Sequence, residues 1–585
     1  MPSDPSVSAP NADSLTRRRF VQGLALGGLA VSSGFPLGGV ASETRRAITG
    51  GTGQLPGPAF DLAIGETVAN ITGENRRAVT VNGSLPAPIL RLREGDELIA
   101  RVRNDLDEVT SIHWHGLLVP ANMDGVPGLS FHGIAPGETF TYRFPLRQNG
   151  TYWYHSHSGS QEQLGLYGAL IIDPIEHDHA IHADREHVIV LSDWSDTPPE
   201  RILARLKKQA HYYNHRRRTM ADFLGDVRQQ GFDATVEDRK AWGRMRMSPS
   251  DLADVNGYAY TYLVNGVPPS GNWTGLFAPG QTLRLRLING SAMSIFDLRI
   301  PGLELKIVAA DGQRVRPVVV DELRIGTAET YDILVTPKDD RAYTIFAQAN
   351  DRSGFACATL APRPGLRAEV PEPDKPVYLT MADMGHGAMD GNADHSAHGA
   401  HAHHGAGAMQ SHPASESGNP LVDMQTMAPT PRLDDPGIGL RDNGRRVLRY
   451  SMLRSAFDDP DGREPSRTIE LHLTGHMERY AWGFDGVKFS SAEPLRLVYG
   501  ERVRIVLVND TMMEHPIHLH GMWSDLEDEH GDFLVRKHTV LIPPGTKRSF
   551  RISADALGRW AFHCHLMFHM ALGMFREVRV EEGSA

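Results

Sequence analysis

One short pattern, met three times, constrains the fold of this chain more than any other feature. Val81-Asn82-Gly83 is followed by Leu92-Arg93-Glu94-Gly95-Asp96 and ends in Val102-Arg103-Asn104. Val264-Asn265-Gly266 is followed by Ala278-Pro279-Gly280-Gln281 and ends in Leu287-Ile288-Asn289. Phe484-Asp485-Gly486 is followed by Val498-Tyr499-Gly500-Glu501 and ends in Val506-Leu507-Val508-Asn509. Each copy reads as strand, turn, strand, so the chain is expected to repeat one unit. Alternations such as Leu98-Ile99-Ala100-Arg101-Val102 and Leu283-Arg284-Leu285-Arg286-Leu287 are broken by Gly, Pro, Asn and Asp. Alternation of this kind predicts half-buried strands, and the spacing of the turn signals predicts β-sandwiches. The expected fold is all-β, with three related domains. A length of 585 residues exceeds what a single core holds.

Two stretches depart from the strand pattern. Residues 198–254, with Glu200-Arg201-Ile202-Leu203-Ala204-Arg205-Leu206-Lys207-Lys208, read as a helical insertion in the second domain. Residues 366–440 are rich in Pro, Gly, Ala, His, Met and Asp and read as a poorly ordered Met/His-rich linker. The expected domains therefore span 55–180, 181–365 and 441–585. Residues 1–41 carry Arg17-Arg18-Arg19-Phe20 ahead of a weakly apolar stretch and Gly39-Val40-Ala41, which resembles a twin-arginine export signal with a small-residue cleavage site. That predicts a periplasmic protein. No run approaches the roughly 18 apolar residues of a spanning helix, so no transmembrane segment is expected. A net charge of −11 argues against nucleic-acid binding, and two cysteines exclude a disulfide scaffold or a four-cysteine iron–sulfur site.

Four histidine motifs carry the chemistry. They are His113-Trp114-His115-Gly116, His155-Ser156-His157, His515-Pro516-Ile517-His518-Leu519-His520-Gly521, and His563-Cys564-His565-Leu566-Met567-Phe568-His569 with Met574 beyond it. With 28 histidines in the chain, one His-x-His is expected about once by chance. His177/His179 and His401/His403 are read as such coincidences. The fourth motif has a chance expectation on the order of 10⁻⁵, so composition does not account for it. One thiolate, two imidazoles and a weak thioether make a trigonal blue-copper set, which Cys564, His515, His569 and Met574 supply. On a strand, residues i and i+2 share a face while i+1 points away. Cys564 can therefore face one metal while His563 and His565 face another. The eight imidazoles left over suit a three-copper cluster that shares O₂. Zinc is the second choice of metal for Cys and His, but a structural zinc site has no use for Met574 or eight more histidines.

At these residues the chain resembles the multicopper oxidases, and within them the periplasmic copper-resistance protein A group. Ser111-Ile112-His113-Trp114-His115-Gly116-Leu117, Met123-Asp124-Gly125-Val126-Pro127-Gly128, Gly150-Thr151-Tyr152-Trp153-Tyr154-His155-Ser156-His157-Ser158-Gly159 and Val308-Ala309-Ala310-Asp311-Gly312 carry the likeness. The resemblance implies three cupredoxin-like Greek-key β-sandwich domains and copper, four per chain. It implies a type 1 copper on His515, Cys564, His569 and Met574, and a type 2 copper on His113 and His518. A type 3 pair would sit on His115, His155, His157, His520, His563 and His565. It implies one-electron oxidation of Cu(I) or small phenols, electrons passing from Cys564 through His563 and His565, and reduction of O₂ to water in the service of copper tolerance. Other copper-resistance proteins would be its partners. The alternative is a non-catalytic copper-sequestering protein; a copper nitrite reductase fits less well, because it lacks the paired first-domain histidines in this order.

Further residues are read around this centre. Asp124, nine residues after His115, is placed where several relatives carry an acid, and is expected to position or relay protons; a loop aspartate capping its own turn is the competing reading. Met570 stands where some bacterial relatives carry another acid. Met381, Met384, His386, Met389, His395, His398, His401, His403, His404, Met409 and His412 are read as an auxiliary copper-capturing tether, since thioethers suit Cu(I) and imidazoles Cu(II). Met512, Met513, Met567 and Met570, with Glu514, Asp525, Glu527, Asp528 and Glu529, could present and attract a Cu(I) substrate. Cys357 is expected to be a buried small apolar residue.

Overall fold

The computed structural model describes residues 47–50, 53–176, 181–386 and 409–583. The export pattern over 1–41 lies outside these residues, as do His177, His179, Met389, His395, His398, His401, His403 and His404.

Six sheets form three sandwiches, each with one six-stranded and one five-stranded sheet. Their strands run from Ile48 to Asp173, from Arg185 to Ala361 and from Arg467 to Glu581. The second and third sandwiches have the same strand order in both sheets; the first shares the central strands and differs at its edges. In each, two strands not adjacent in sequence pair in parallel: Ala59–Asn70 with Glu97–Asn104, Arg185–Trp194 with Leu283–Asn289, and Arg467–His476 with Arg502–Asn509. The fold is cupredoxin-like.

The repeat has a physical cause at both of its ends. Asn82-Gly83, Asn265-Gly266 and Asp485-Gly486 all have positive φ at both positions (53° and 74°, 51° and 75°, 53° and 71°). That is the two-residue hairpin turn whose twist matches its strands, and Asn/Asp-Gly is the pair that tolerates it. The closing asparagine does the same work three times. Asn104, Asn289 and Asn509 are fully buried. Each side-chain amide donates to two carbonyls: Glu108 and Ile134, Ser294 and Ile325, Met513 and Ile542. Each side-chain oxygen accepts a backbone N–H two residues on, from Leu106, Ser291 and Thr511. The asparagine thus braces the loop that leads to the next strand of the five-stranded sheet. Those next strands are His113–His115, Phe296–Arg299 and His515–Leu519.

The helices Pro199–Lys208, Met220–Gln230 and Phe232–Met245 fall between strands Arg185–Trp194 and Thr261–Val264, within the second sandwich. Ile202, Leu206 and Trp242 tie the insertion to the core. The stretch read as a poorly ordered linker differs from that expectation in both described flanks. Leu379, Met384, Met424, Leu433, Ile438 and Leu440 are buried. Arg324, Arg352 and Arg548 donate to the carbonyls of Ile438, Gly439 and Pro431. Scattered apolar residues there pack without any periodic pattern, so composition alone hides them.

Candidate metal centre

The histidine motifs sit at strand ends, where register and alternation decide what each imidazole meets. His155 pairs with His113, and His563 with His518, across neighbouring strands. The first sandwich thereby presents His113, His115, His155 and His157, and the third presents His518, His520, His563 and His565, to one shared interior. Ring nitrogens of His157, His520 and His563 lie within 4.8 Å of one another; so do those of His115, His155 and His565, and those of His113, His518 and His520. His563 Nε2 is 3.1 Å from His520 Nε2 and 3.3 Å from His157 Nε2. All eight side chains are buried.

In five of the eight the outward nitrogen faces an oxygen. Nδ1–H of His113 donates to the Asp124 carbonyl (2.8 Å), that of His518 to the His538 carbonyl (2.5 Å), and that of His563 to the Cys564 carbonyl (2.9 Å). Nδ1–H of His520 donates to Asp124 Oδ2 (2.8 Å), and His155 Nδ1 lies 3.0 Å from Glu162 Oε2. The inward nitrogens face none. Nε2 of His113, His115, His155, His518 and His565 is buried without a hydrogen-bond partner among the described residues. So many orphaned polar atoms would be costly in a finished core. An outer N–H donated to an oxygen and an inner lone pair facing a common space is how a metal-ligating imidazole is held. Burial pulls His115, His155, His157, His518, His520 and His565 well below the ordinary imidazole range, and His563 down to about 3, which keeps them in the neutral, ligating form. The donor set fits a cluster of borderline transition-metal ions.

A second set lies one residue away. His515 Nδ1 and His569 Nδ1 are 3.2 Å apart and stand 3.5 and 3.9 Å from Cys564 Sγ. Bonds of about 2.0 Å to nitrogen and 2.3 Å to sulfur require edges of about 3.5–4 Å in a trigonal set, so one ion fits at its centre. Met574 is fully buried and its carbonyl accepts the Cys564 N–H (3.1 Å). Burial pushes the Cys564 thiol up, a direction that a bound cation reverses. The far nitrogens are again held: Thr511 Oγ1 lies 2.7 Å from His515 Nε2, and Asp254 Oδ2 lies 2.6 Å from His569 Nε2. Trp482 stacks on His569 with centroids 3.8 Å apart.

Asp124 is brought into contact with the cluster rather than left as a loop cap. Gly125 behind it has φ +81°, and a Cβ there would stand 1.8 Å from the Ile112 carbonyl. Only glycine lets the loop lie this close to His113. Three further neighbours of the centre, two of them without any sequence signal, emerge from the fold. Glu162 is buried beside His155 and His565, and burial drives its carboxyl well above the usual range. His538 packs on His115 with ring centroids 4.7 Å apart. Asp254 holds His569 and also accepts the Tyr480 hydroxyl (2.8 Å). A weak hint existed for Glu162, which lies five residues past the second His-x-His in a turn-rich stretch.

Other expectations are overturned. Met512, Met513, Met567 and Met570 are all buried, so they form no exposed thioether face. Glu514 is paired with Arg324 (2.6 Å), Asp525 with Arg536 (2.7 Å) and Glu527 with Arg551 (2.6 Å), which removes them as attractors of a cation. Of the proposed tether, Met384 is fully buried and Met381 packs against the same core, so neither is an open ligand. His386 donates its backbone N–H to Met381, His412 contacts Glu416, and Met409 is exposed. Cys357, by contrast, is buried and unpaired, as expected.

Three cupredoxin-like sandwiches, a Cys-His₂ set and an eight-imidazole cluster one residue away define a multi-metal redox protein. Multicopper oxidase family models match residues 63–177, 185–362 and 462–584. The chain is 59% identical over 591 residues to the copper resistance protein A homolog of Pseudomonas syringae pv. tomato, covering 97% of this chain and 99% of that one. It is 57% identical to copper resistance protein A of Escherichia coli, again over 97% and 99%. Among solved structures, Fet3p, a multicopper oxidase that functions in iron import, superposes with a TM-score of 0.63 at 20% identity over 90% of this chain and 91% of that one. A laccase from Botrytis aclada gives 0.61 at 21% over 91% and 89%. At such identities these two structures speak for the fold alone. The chain belongs to the multicopper oxidase family. It is an oxidase enzyme, and copper is the metal its family implies.

Proposed function

We propose that this oxidase serves copper tolerance in the periplasm, taking single electrons from Cu(I) or small phenols and delivering four, with four protons, to O₂ to give two waters. The observation that carries the reading is the pairing of orphaned, inward-facing imidazole nitrogens with a cysteine set between two of them. The names of the 57–59% identical relatives support the copper-tolerance role, and the Arg17-Arg18-Arg19 pattern supports export by the twin-arginine route. No helix among the described residues is long and apolar enough to cross a membrane.

His515, Cys564, His569 and Met574 would hold a type 1 copper; His113 and His518 a type 2; His115, His155, His157, His520, His563 and His565 a type 3 pair. Copper bound there supplies one-electron transfer at the cysteine and O₂ reduction at the cluster. The chain's own residues do the rest. Cys564 is covalently continuous with His563 and His565, so its backbone is the short path between the two sets. His515 and His569 are both buried. Thr511 and Asp254, which hold their far nitrogens, are buried as well, so an electron from a substrate reaches this set through packed protein and not from open solvent. Protons are handled on two sides: at Asp124, whose Oδ2 accepts from His520 Nδ1–H, and at Glu162, whose Oε2 faces His155 Nδ1. A cleft of about 720 Å³ lined by Leu118, Gln148, Trp523 and Asp525 approaches the cluster. Leu118 and Trp523 also line the small space beside His113, His518, His520 and His538, which gives water and O₂ a way in.

The test is a copper count of about four per chain with an intense blue thiolate band, together with O₂ uptake on addition of Cu(I) or a phenol. A colourless copper-loaded protein defeats the site assignment. A blue protein that consumes no O₂ favours copper sequestration instead. Asp124→Asn should slow O₂ turnover roughly 10²-fold and change its pH profile while the blue band stays; an unchanged pH profile removes the proton role.

A further inference from the structure

A second group of potential ligands lies outside both sets. The segment from Gln410 to Glu416 packs against the six-stranded sheet of the third sandwich. There His412 and Glu416 meet His472, on strand Arg467–His476, and Asp510, the residue after the brace Asn509. His412 Nδ1 is 3.1 Å from Glu416 Oε2 and 3.3 Å from Asp510 Oδ2. His472 Nδ1 is 2.6 Å from Asp510 Oδ2 and 3.6 Å from Glu416 Oε1. The two imidazoles face each other at a centroid distance of 4.9 Å.

We propose that His412, Glu416, His472 and Asp510 form a separate binding site for one divalent first-row ion, Cu(II) by preference. Bonds of about 2.0–2.1 Å set neighbouring ligand atoms about 2.9 Å apart in the square arrangement Cu(II) favours and about 3.3 Å apart in a tetrahedron, and the four contacts of 3.1, 3.3, 2.6 and 3.6 Å bracket that range. Glu416 is 3% exposed, and its Oε1 is a buried oxygen with no hydrogen-bond partner, aimed at His472. Each ligand is also oriented from outside, as metal ligands are. His412 Nε2–H donates to the Thr426 carbonyl (2.9 Å), which leaves Nδ1 for the metal. Asp510 Oδ1 accepts the Thr426 N–H (2.6 Å), and Glu416 Oε2 accepts from Gln425 Nε2 (3.0 Å). Two nitrogens and two carboxylates without sulfur disfavour Cu(I), and Cu(II) leads the divalent series in affinity for such a set. The site is distinct from the oxidase centre. It shares with that centre only the loop 510–514, in which Thr511 touches His515.

The full-length protein, with its blue band developed, is titrated with Cu(II) beside the variants Glu416→Gln and His472→Gln. The wild type should retain one more copper per chain than either variant and gain thermal stability on saturation, with the blue band and O₂ uptake the same in all three. Should a variant fail to fold, the wild type alone decides: its electron paramagnetic resonance spectrum should show one further Cu(II) signal with coupling to two imidazole nitrogens. Equal copper retention in all three proteins, or no further signal in the wild type, reduces the cluster to an ion-pair network and overturns the proposal. A wild type that binds the extra ion but shows no blue band would count against the oxidase reading and not against this one.

Discussion

The second and third sandwiches share a strand order and a braced loop, yet they treat the strand that follows the brace in opposite ways. In the third, strand His515–Leu519 carries His518, whose inner nitrogen meets no partner among the described residues, and His515, whose inner nitrogen faces only Cys564 and His569. In the second, the strand at the same place in the sheet, Phe296–Arg299, carries Asp297. Arg324 grips that carboxylate at 2.8 and 3.0 Å and Arg352 at 2.5 Å, all three side chains being buried. Arg324 then reaches Glu514, one residue before His515. A buried polar strand needs counter-groups. Where the chain supplies them the domain is closed and structural; where it withholds them the domain waits for a cation from solution.

The sharpest way to break this contrast is Cys564→Ser. A hydroxyl supplies no thiolate charge transfer, so the blue band and oxidase turnover should vanish while the far-ultraviolet circular dichroism spectrum stays that of the parent. Asp297→Asn attacks the closed side. Two buried guanidinium groups lose their charge partner, and denaturant unfolding should show a loss of about 3–5 kcal/mol; a loss below about 1 kcal/mol would mean that the second sandwich does not depend on its own charges. Acid separates the two modes next. The cluster imidazoles sit below the unfolded value of about 6.5, so the unfolded chain binds protons the native one refuses. Copper-free protein should therefore lose stability as pH falls below about 6.5, by up to about 1.4 kcal/mol per pH unit for each such imidazole, read as a falling melting temperature between pH 7.5 and pH 5.5. A flat profile would contradict neutral, buried imidazoles. The smallest change is Asp254→Asn. Weakening the partner of His569 should lower copper retention at the cysteine set by about 10–100-fold, measured by chelator competition, with the cluster copper unaffected.

What could be read from residue order follows the same divide. The hairpin turns at Asn82, Asn265 and Asp485, the asparagines that close each repeat and the paired histidines are local patterns, and the structure uses them at the places their spacing suggests. Asp254 and His538 are lone residues brought to His569 and His115 by contacts between distant parts of the chain, so no window of sequence holds both partners, while Glu162 lies seven residues from His155 in a turn whose course only the fold reveals. Glu514, Asp525 and Glu527 look like solvated acids in a row; only the fold reveals the arginines facing them. The packed flanks of the low-complexity stretch were hidden for a related reason, since Met384 and Met424 contribute to a core through scattered contacts.

The cluster draws its imidazoles equally from the two ends of the described chain, and that arrangement orders events in time. A nascent chain halted before His518 has only the four imidazoles of the first sandwich, half of those around the shared interior. Neither half can be charged with metal early and kept, so loading must come after synthesis is complete and the terminal sandwiches have docked. Whatever delivers copper to this enzyme meets a molecule whose outer sandwiches already touch, through Leu129 and Ser130 on Arg559 and Asp124 on His520.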